Sequence, residues 1–347
     1  MNNPKKEAVL WEALEHQQVQ CRLCNFRCRI KEGQVGICRV RRNVEGKLYS
    51  LNYHAICSTA IDPIEKKPLF HFQPGSRSLS VATGGCNFQC DFCQNWQISQ
   101  MPRQQKTLSG RSYPPAQIVE AALQNRCRSI SFTYTEPTIF MEICADCGRL
   151  AKKQGLANVF VSNGYMTIEA LKFARDFLDG INVDLKSFRE EFYRQHCKAS
   201  LTPVLETLRY IARHTNIWLE ITTLVIPQIN DGQEELKQIA GFLAEELGPE
   251  VPWHISRFHP DFQRTDSYPT PSETLMRAYE IGKEAGLHYV YVGNMPGSGH
   301  ESTVCHECGH LLIERVGYQI GSYNIINSAC PNCGTGVAGK GLDPIQI

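Results

Sequence analysis

Seven short β-rich runs alternate with longer helical runs between residues 76 and 295, and that alternation leaves few folds open. The strand candidates are SLSVAT (78–83), SISFTY (129–134), NVFVSN (158–163), INVDLK (181–186), IWLEITTLV (217–225), VPWHISRF (251–258) and HYVYVGN (288–294). PPAQIVEAALQN, TIEALKFARDFL, DGQEELKQIAGFLAEEL and PSETLMRAYEIGKEAG supply the helices, several opened by proline or a capping residue. Parallel βαβ units follow, wound open or closed toward a barrel. Side chains alternate across a strand, so Asn182, Asp184 and Lys186 share one face and Ile181, Val183 and Leu185 the other. An ordinary barrel fills its centre with branched apolar side chains. A polar inner face instead predicts an incomplete or widened barrel around a polar ligand, unless Asp184 and Lys186 merely pair with each other.

Polar residues recur where the strands end. Cys86, Glu136, Asn163, Asp184 with Lys186, Thr222 with Thr223, His259 and Asn294 stand at or just beyond successive C-terminal ends. In parallel α/β barrels that rim carries the active site. Singly, each has a plainer reading: Glu136 charging a helix start, Asn163 making a turn, His259 satisfied in a loop. A ring of them argues for a site.

Composition enters through cysteine. The chain has 16, and eleven fall into three groups: Cys21, Cys24, Cys28 and Cys38; Cys86, Cys90 and Cys93; Cys305, Cys308, Cys330 and Cys333. No apolar run approaches the roughly 20 residues that cross a bilayer. The start, MNNPKKEAVLWEALEH, reads as an amphipathic helix without a signal peptide's apolar centre. A cytoplasmic protein without membrane association is expected, where clustered cysteines mean metal or redox chemistry. The net charge of +1 gives no global reason to expect nucleic acid or anionic membrane.

The middle group is a triad, Cys86-x3-Cys90-x2-Cys93, placed just after the first strand by Gly84-Gly85. Three thiolates can hold three irons of a [4Fe–4S] cube and leave the fourth open; zinc completed by a distant ligand is the alternative. Cys86, Cys90, Phe92 and Cys93 match the signature of the radical SAM superfamily, which this chain closely resembles. The resemblance implies a partial, TIM-like parallel barrel whose cluster reductively cleaves S-adenosyl-L-methionine (SAM) to a 5′-deoxyadenosyl radical. TYTEP (133–137) stands where the family has Gly-Gly-Glu. Glu136 thereby becomes the expected partner of the methionine ammonium, with Tyr134 and Thr135 replacing the glycines. Phe92 is expected near the adenine. Asn163, Asp184, Lys186 and His259 match positions of pyruvate formate-lyase activating enzyme that could contact ribose, carboxylate, a bound cation or substrate.

A narrower likeness covers nearly the whole chain. AIDPIEKKPLFHFQPGS, GCNFQCDFCQNWQIS, FTYTEPTIF, ITTLVIPQIND, PWHISRFHPD and YVGNMPG look like the AmmeMemoRadiSam radical SAM proteins, relatives of the glycyl-radical activases. It implies family and cofactors without naming the reaction.

The end groups read as metal sites. CHECG and CPNCG, 21 residues apart, form the pattern of a four-thiolate zinc ribbon or rubredoxin-like site, with iron as the rival; each glycine is expected to allow close backbone approach to sulfur. The N-terminal set is less regular, with structural zinc expected first and an auxiliary iron–sulfur cluster second. Cys57, Cys127, Cys144, Cys147 and Cys197 read as unliganded thiols. Three segments are expected: a Cys-rich 1–75, the barrel at 76–298, and a metal-binding tail at 299–347 that contributes folding but none of the chemistry. The leading function is a radical SAM oxidoreductase acting on a protein or protein-delivered substrate, reduced by a flavodoxin or ferredoxin. RNA modification is a second class, prompted by Arg22, Arg27, Arg29, Lys31, Arg39, Arg41 and Arg42 around the first cysteines, although a solvated arginine face explains them too. A noncatalytic iron–sulfur or zinc scaffold is the third.

Overall fold

The computed structural model describes residues 6–295 and 297–342. Its centre is one eight-stranded sheet whose spatial order follows the chain. The strands are β1 (Ile56–Pro63), β2 (Arg77–Thr83), β3 (Ser129–Phe132), β4 (Ala157–Ser162), β5 (Gly180–Asp184), β6 (Trp218–Val225), β7 (Trp253–Arg257) and β8 (Val290–Gly293). β1 pairs antiparallel with β2, and every later pair is parallel. Helices Pro115–Gln124, Met141–Lys153, Ile168–Ala174, Thr202–His214, Gln233–Phe242 and Ser272–Glu284 provide the crossovers. β1 and β8 remain edges, so the barrel is partial, as expected. Among the described residues no helix is long and apolar enough to cross a membrane.

All seven anticipated strands form. β1 was not anticipated: ICSTAIDP carries Ser, Thr and Asp, and its alternation is broken by a register shift near Ile56 and Ser58. The N-terminal expectation is corrected. Residues 1–5 lie outside the described part, and the rest gives strands Lys6–Glu7 and Trp11–Ala13 instead of a helix. Leu10, His16 and Gln17 take φ of +55°, +57° and +56°, which breaks the helical repeat. Backbone groups that a helix would have paired internally bond to Lys47–Ser50 and Val19–Cys21. Tertiary pairing overrides local propensity here.

The segment after β1 plugs the barrel from below. Phe72 fits against Gly180 so closely that a Cβ there would meet its ring at 2.9 Å. Buried Glu220 accepts from the amides of Phe70 and His71 at 2.9 and 2.8 Å, and Asn182 Nδ2 donates to the Pro68 carbonyl at 2.8 Å. The tail folds as an antiparallel sheet, Thr303–Val304, Leu311–Val316 and Gln319–Tyr323, with its own core against Phe70, Tyr289 and Tyr291. It latches to the plug: the Gln73 amide donates to the Lys340 carbonyl and the Lys340 amide to that of His71, both at 2.8 Å.

Candidate functional site

A cavity of about 560 Å³ opens at the C-terminal ends of the strands. Cys86, Cys90, Phe92, Cys93, Glu136, Asn163, Asp184 and Lys186 all line it, together with Thr222 and Asn294. The cysteine loop leaves β2 through Gly85, whose φ is +107° and whose missing Cβ would meet Val40 Cγ1 at 2.9 Å. Only glycine fits both demands. Beyond it the loop is tied down by its backbone. Arg103 Nη2 donates to the Cys86 carbonyl at 2.9 Å, and the Gln89 and Asp91 amides donate to the Cys197 and His196 carbonyls at 3.0 and 3.1 Å. Asp91 is held further by His196 at 2.9 Å and Arg264 at 2.8 Å. Burial pushes the Cys86 and Cys93 thiols up. The thiol of Cys197, read from the sequence as unliganded, sits against Cys90 and pushes it up, with burial adding to the effect.

Glu136 follows β3 and is 2 % exposed. Its Oε1 accepts from the Thr138 amide at 3.0 Å, the Thr138 hydroxyl and the Ser162 hydroxyl at 2.8 Å; Oε2 accepts from the Asn163 amide at 2.7 Å. These donors are neutral, and burial raises the carboxyl above its ordinary range. Two residues earlier Tyr134 takes φ of +64°, the left-handed backbone that the family's glycine would adopt easily. Its hydroxyl donates to Asp62, and Lys67 Nζ lies 4.7 Å from its ring centroid, which holds a conformation tyrosine rarely takes.

Asn163 reaches both neighbours. Nδ2 donates to Asn87 Oδ1 at 2.7 Å and lies 3.9 Å from Cys86 Sγ, while Oδ1 accepts from the Tyr165 amide at 3.1 Å. Asp184 and Lys186 line the cavity and pair with each other at 2.6 Å. Lys186 Nζ also lies 6.0 Å from the Phe92 ring centroid.

Two residues depart from expectation. His259 is exposed beyond β7 and outside the cavity lining; His254 is the histidine of that strand facing the cavity, 4 % exposed, with Nε2 on Glu220 Oε2 at 2.7 Å. Alternation along PWHISRF carried the signal, because His254 and Ser256 share one face. Thr223 turns away from the cavity, donating to the Leu185 carbonyl at 2.9 Å and accepting from Trp253 Nε1 at 3.0 Å. Sequence reasoning also missed Glu301, Gly317 and Tyr318, which bring the tail into the cavity wall.

Of the seven basic residues near the first cysteines, Arg22 pairs with Glu12, Arg27 with Glu169 and Arg41 with Glu142. Arg29, Lys31, Arg39 and Arg42 are exposed. Only Arg41 of the seven is buried; Arg22 and Arg27 stay exposed within their ion pairs.

In the tail, Cys305 Sγ lies 3.6 Å from Cys333 Sγ and Cys308 Sγ 3.7 Å from Cys330 Sγ. A tetrahedron with metal–sulfur bonds of about 2.3 Å has edges of about 3.8 Å, so the donor set fits one ion. Among the described residues it is the only set of three or more Cys, His, Asp or Glu ligand atoms all within 4.8 Å of one another. Gly309 and Gly334 take φ of +71° and +75° with open space where a Cβ would sit. The turn itself, not room beside sulfur, requires glycine there. The triad sulfurs do not all lie within 4.8 Å of one another, which suits donors to separate irons. Together with a cavity of adequate size and an uncompensated buried carboxylate opposite, they fit an iron–sulfur cube with a cationic ligand.

The sequence profile of the radical SAM superfamily matches residues 80–243. An uncharacterized protein of Methanocaldococcus jannaschii is 46% identical over 331 residues, covering 95% of this chain and 98% of that one. A second protein of that archaeon, provisionally named a glycyl-radical enzyme activating enzyme, is 25% identical over 213 residues, 59% of this chain and 77% of its own. Streptococcus suis SuiB bound to S-adenosylmethionine shares the fold at a TM-score of 0.50, with 12% identity, 67% of this chain and 53% of that one covered.

Proposed function

The chain belongs to the radical SAM superfamily, and we propose that it acts on a protein or a protein-delivered substrate in the manner of a glycyl-radical activating enzyme. A [4Fe–4S] cluster and SAM supply one-electron cleavage of the sulfonium to methionine and a 5′-deoxyadenosyl radical, which abstracts hydrogen from the substrate. Cys86, Cys90 and Cys93 hold the cluster. Glu136 receives the ammonium of SAM, Phe92 packs against its adenine, and Asn163, Asp184 and Lys186 orient its ribose and carboxylate. The observation that carries this reading is Glu136: a buried carboxylate among neutral donors, sharing one cavity with three thiols. A cationic ligand is what it lacks.

The tail tetrad holds zinc in this reading, and its hairpin helps shape the substrate entrance. A flavodoxin- or ferredoxin-type protein supplies electrons. The free state of all 16 cysteines suits the reducing cytoplasm. The ring of residues in one cavity favours an enzyme over a scaffold, and the burial of Arg41 against Glu142 removes one cation from the surface RNA would meet.

The test is anaerobic reconstitution with iron and sulfide, reduction by dithionite and chromatographic assay of 5′-deoxyadenosine from SAM. The Cys86→Ala, Cys90→Ala, Cys93→Ala variant should yield none. Equal product from the variant would refute the assignment.

A further inference from the structure

The two cysteine tetrads are built differently. In the tail, sulfurs at 3.6 and 3.7 Å mark the edges of a single-ion site. At the other end, Cys21, Cys24, Cys28 and Cys38 line an apolar cavity with Leu23 and Phe26, and no three of their sulfurs lie within 4.8 Å of one another. Four thiolates reach one tetrahedral ion only when each pair stands about 3.8 Å apart. Thiolates arrayed around a cavity instead match an occupant with volume of its own, in which sulfide-bridged irons present separate corners.

Arg41 supplies an independent observation. Its side chain is 2 % exposed and lines the same cavity. Nη2 donates to Glu142 Oε1 at 2.6 Å and to the Val9 carbonyl at 2.7 Å, while Nε and Nη1 are buried with no partner. Buried donors on a guanidinium are rarely left unmade, because each costs its desolvation. Apart from Arg41 itself, the side chains lining the cavity are apolar or cysteine. A group that brings sulfide and thiolate acceptors would satisfy both donors, while Glu142 already pairs the Arg41 charge.

This cavity adjoins the triad loop. Arg103 Nη2 donates to the Ile37 and Cys86 carbonyls, both at 2.9 Å, and so bridges the residue before Cys38 and the first cysteine of the triad. The rings of Phe26, Tyr165 and Phe88 follow one another at 4.9 and 5.1 Å, from between Cys24 and Cys28 to between Cys86 and Cys90.

We propose that Cys21, Cys24, Cys28 and Cys38 hold a second [4Fe–4S] cluster, hydrogen-bonded by Arg41, beside the one at the triad. All four irons are then held by protein, so this cluster binds no SAM and carries electrons only. The proposal stands apart from the reaction suggested above, since a tetrad cluster needs no particular substrate.

The full-length triad variant, Cys86→Ala with Cys90→Ala and Cys93→Ala, leaves this site intact and isolates it. After anaerobic reconstitution it should retain about four irons and about four acid-labile sulfides per chain, against about twice that in the parent. It should also give a paramagnetic signal on reduction with dithionite. Adding Cys24→Ser and Cys38→Ser should abolish both. Arg41→Lys in the triad variant should keep the iron and shift the midpoint potential to more negative values, because guanidinium donors to sulfur are lost. A triad variant that carries zinc, no labile sulfide and no paramagnetic signal overturns the proposal, whether or not the serine and lysine variants fold. An unshifted potential in folded Arg41→Lys removes Arg41 from the cluster's surroundings.

Discussion

His71 donates from Nδ1 to the carbonyl of Ala338 at 2.6 Å, joining the plug beneath the barrel to the C-terminal tail. Its Nε2 faces the Tyr291 hydroxyl at 2.6 Å and accepts from it, so a neutral imidazole makes both bonds. Burial lowers its pKa to about 4. The unfolded chain, with an ordinary histidine near 6.5, takes up a proton that the fold refuses. This contribution to stability is complete above about pH 6.5 and is lost as pH falls toward 4, on the order of 3 kcal/mol. Glu220, held below its usual range by His254 against the opposing effect of burial, loses stability in the same direction. Calorimetry from pH 7 to 4 should show a falling unfolding temperature. His71→Gln should flatten that fall, and an equally steep profile would remove His71 as its source.

Glu136→Gln preserves the shape of the side chain and removes its charge. A charge-assisted hydrogen bond contributes about 1.5–3 kcal/mol, so the Kd for SAM should rise by roughly one to two decades. Equilibrium dialysis with reconstituted protein measures it. An unchanged Kd would place the methionine ammonium elsewhere.

Tyr134→Phe keeps the left-handed backbone at residue 134 and deletes the bond to Asp62. That carboxylate also receives Lys67 at 2.6 Å and Ser80 at 2.7 Å, so the network persists with one donor fewer. A loss of about 2 kcal/mol is expected, read as a lower denaturant midpoint at unchanged slope. No shift would mean that packing alone keeps the tyrosine in its turn.

Cys330→Ser should remove about one zinc per chain from protein expressed with zinc, and should lower the unfolding temperature, because metal binding contributes directly to folding. Elemental analysis and calorimetry check it. If iron leaves in zinc's place, the tail is a rubredoxin-like centre.

The barrel was legible because parallel strands buried on both faces leave continuous apolar runs, as in NVFVSN, and because their ends carry chemistry. Glu136 and the triad were legible for the same reason. The rest depended on long-range contacts. Strand β1 is an antiparallel edge with Ser, Thr and Asp, a pattern also compatible with a loop. The N-terminal segment has helical periodicity until its pairing partners are known, Val19–Cys21 nearby for one strand and Tyr49 with Ser50 far along the chain for the other. His259 sits two residues past the end of β7, in a loop whose exposure no local pattern reveals. The tail's part in the cavity could not be read from spacing. Arg315, which donates to the Phe70 carbonyl at 2.8 Å, binds it to a segment 245 residues earlier.

That remote attachment sets an order of events during synthesis. The chain emerges from its N-terminus, and the residues that gather around the triad are made long before Glu301, Gly317 and Tyr318 exist. The chamber's other lining residues lie between Glu65 and Asn294, so the hairpin adds the part of the wall that is synthesised last.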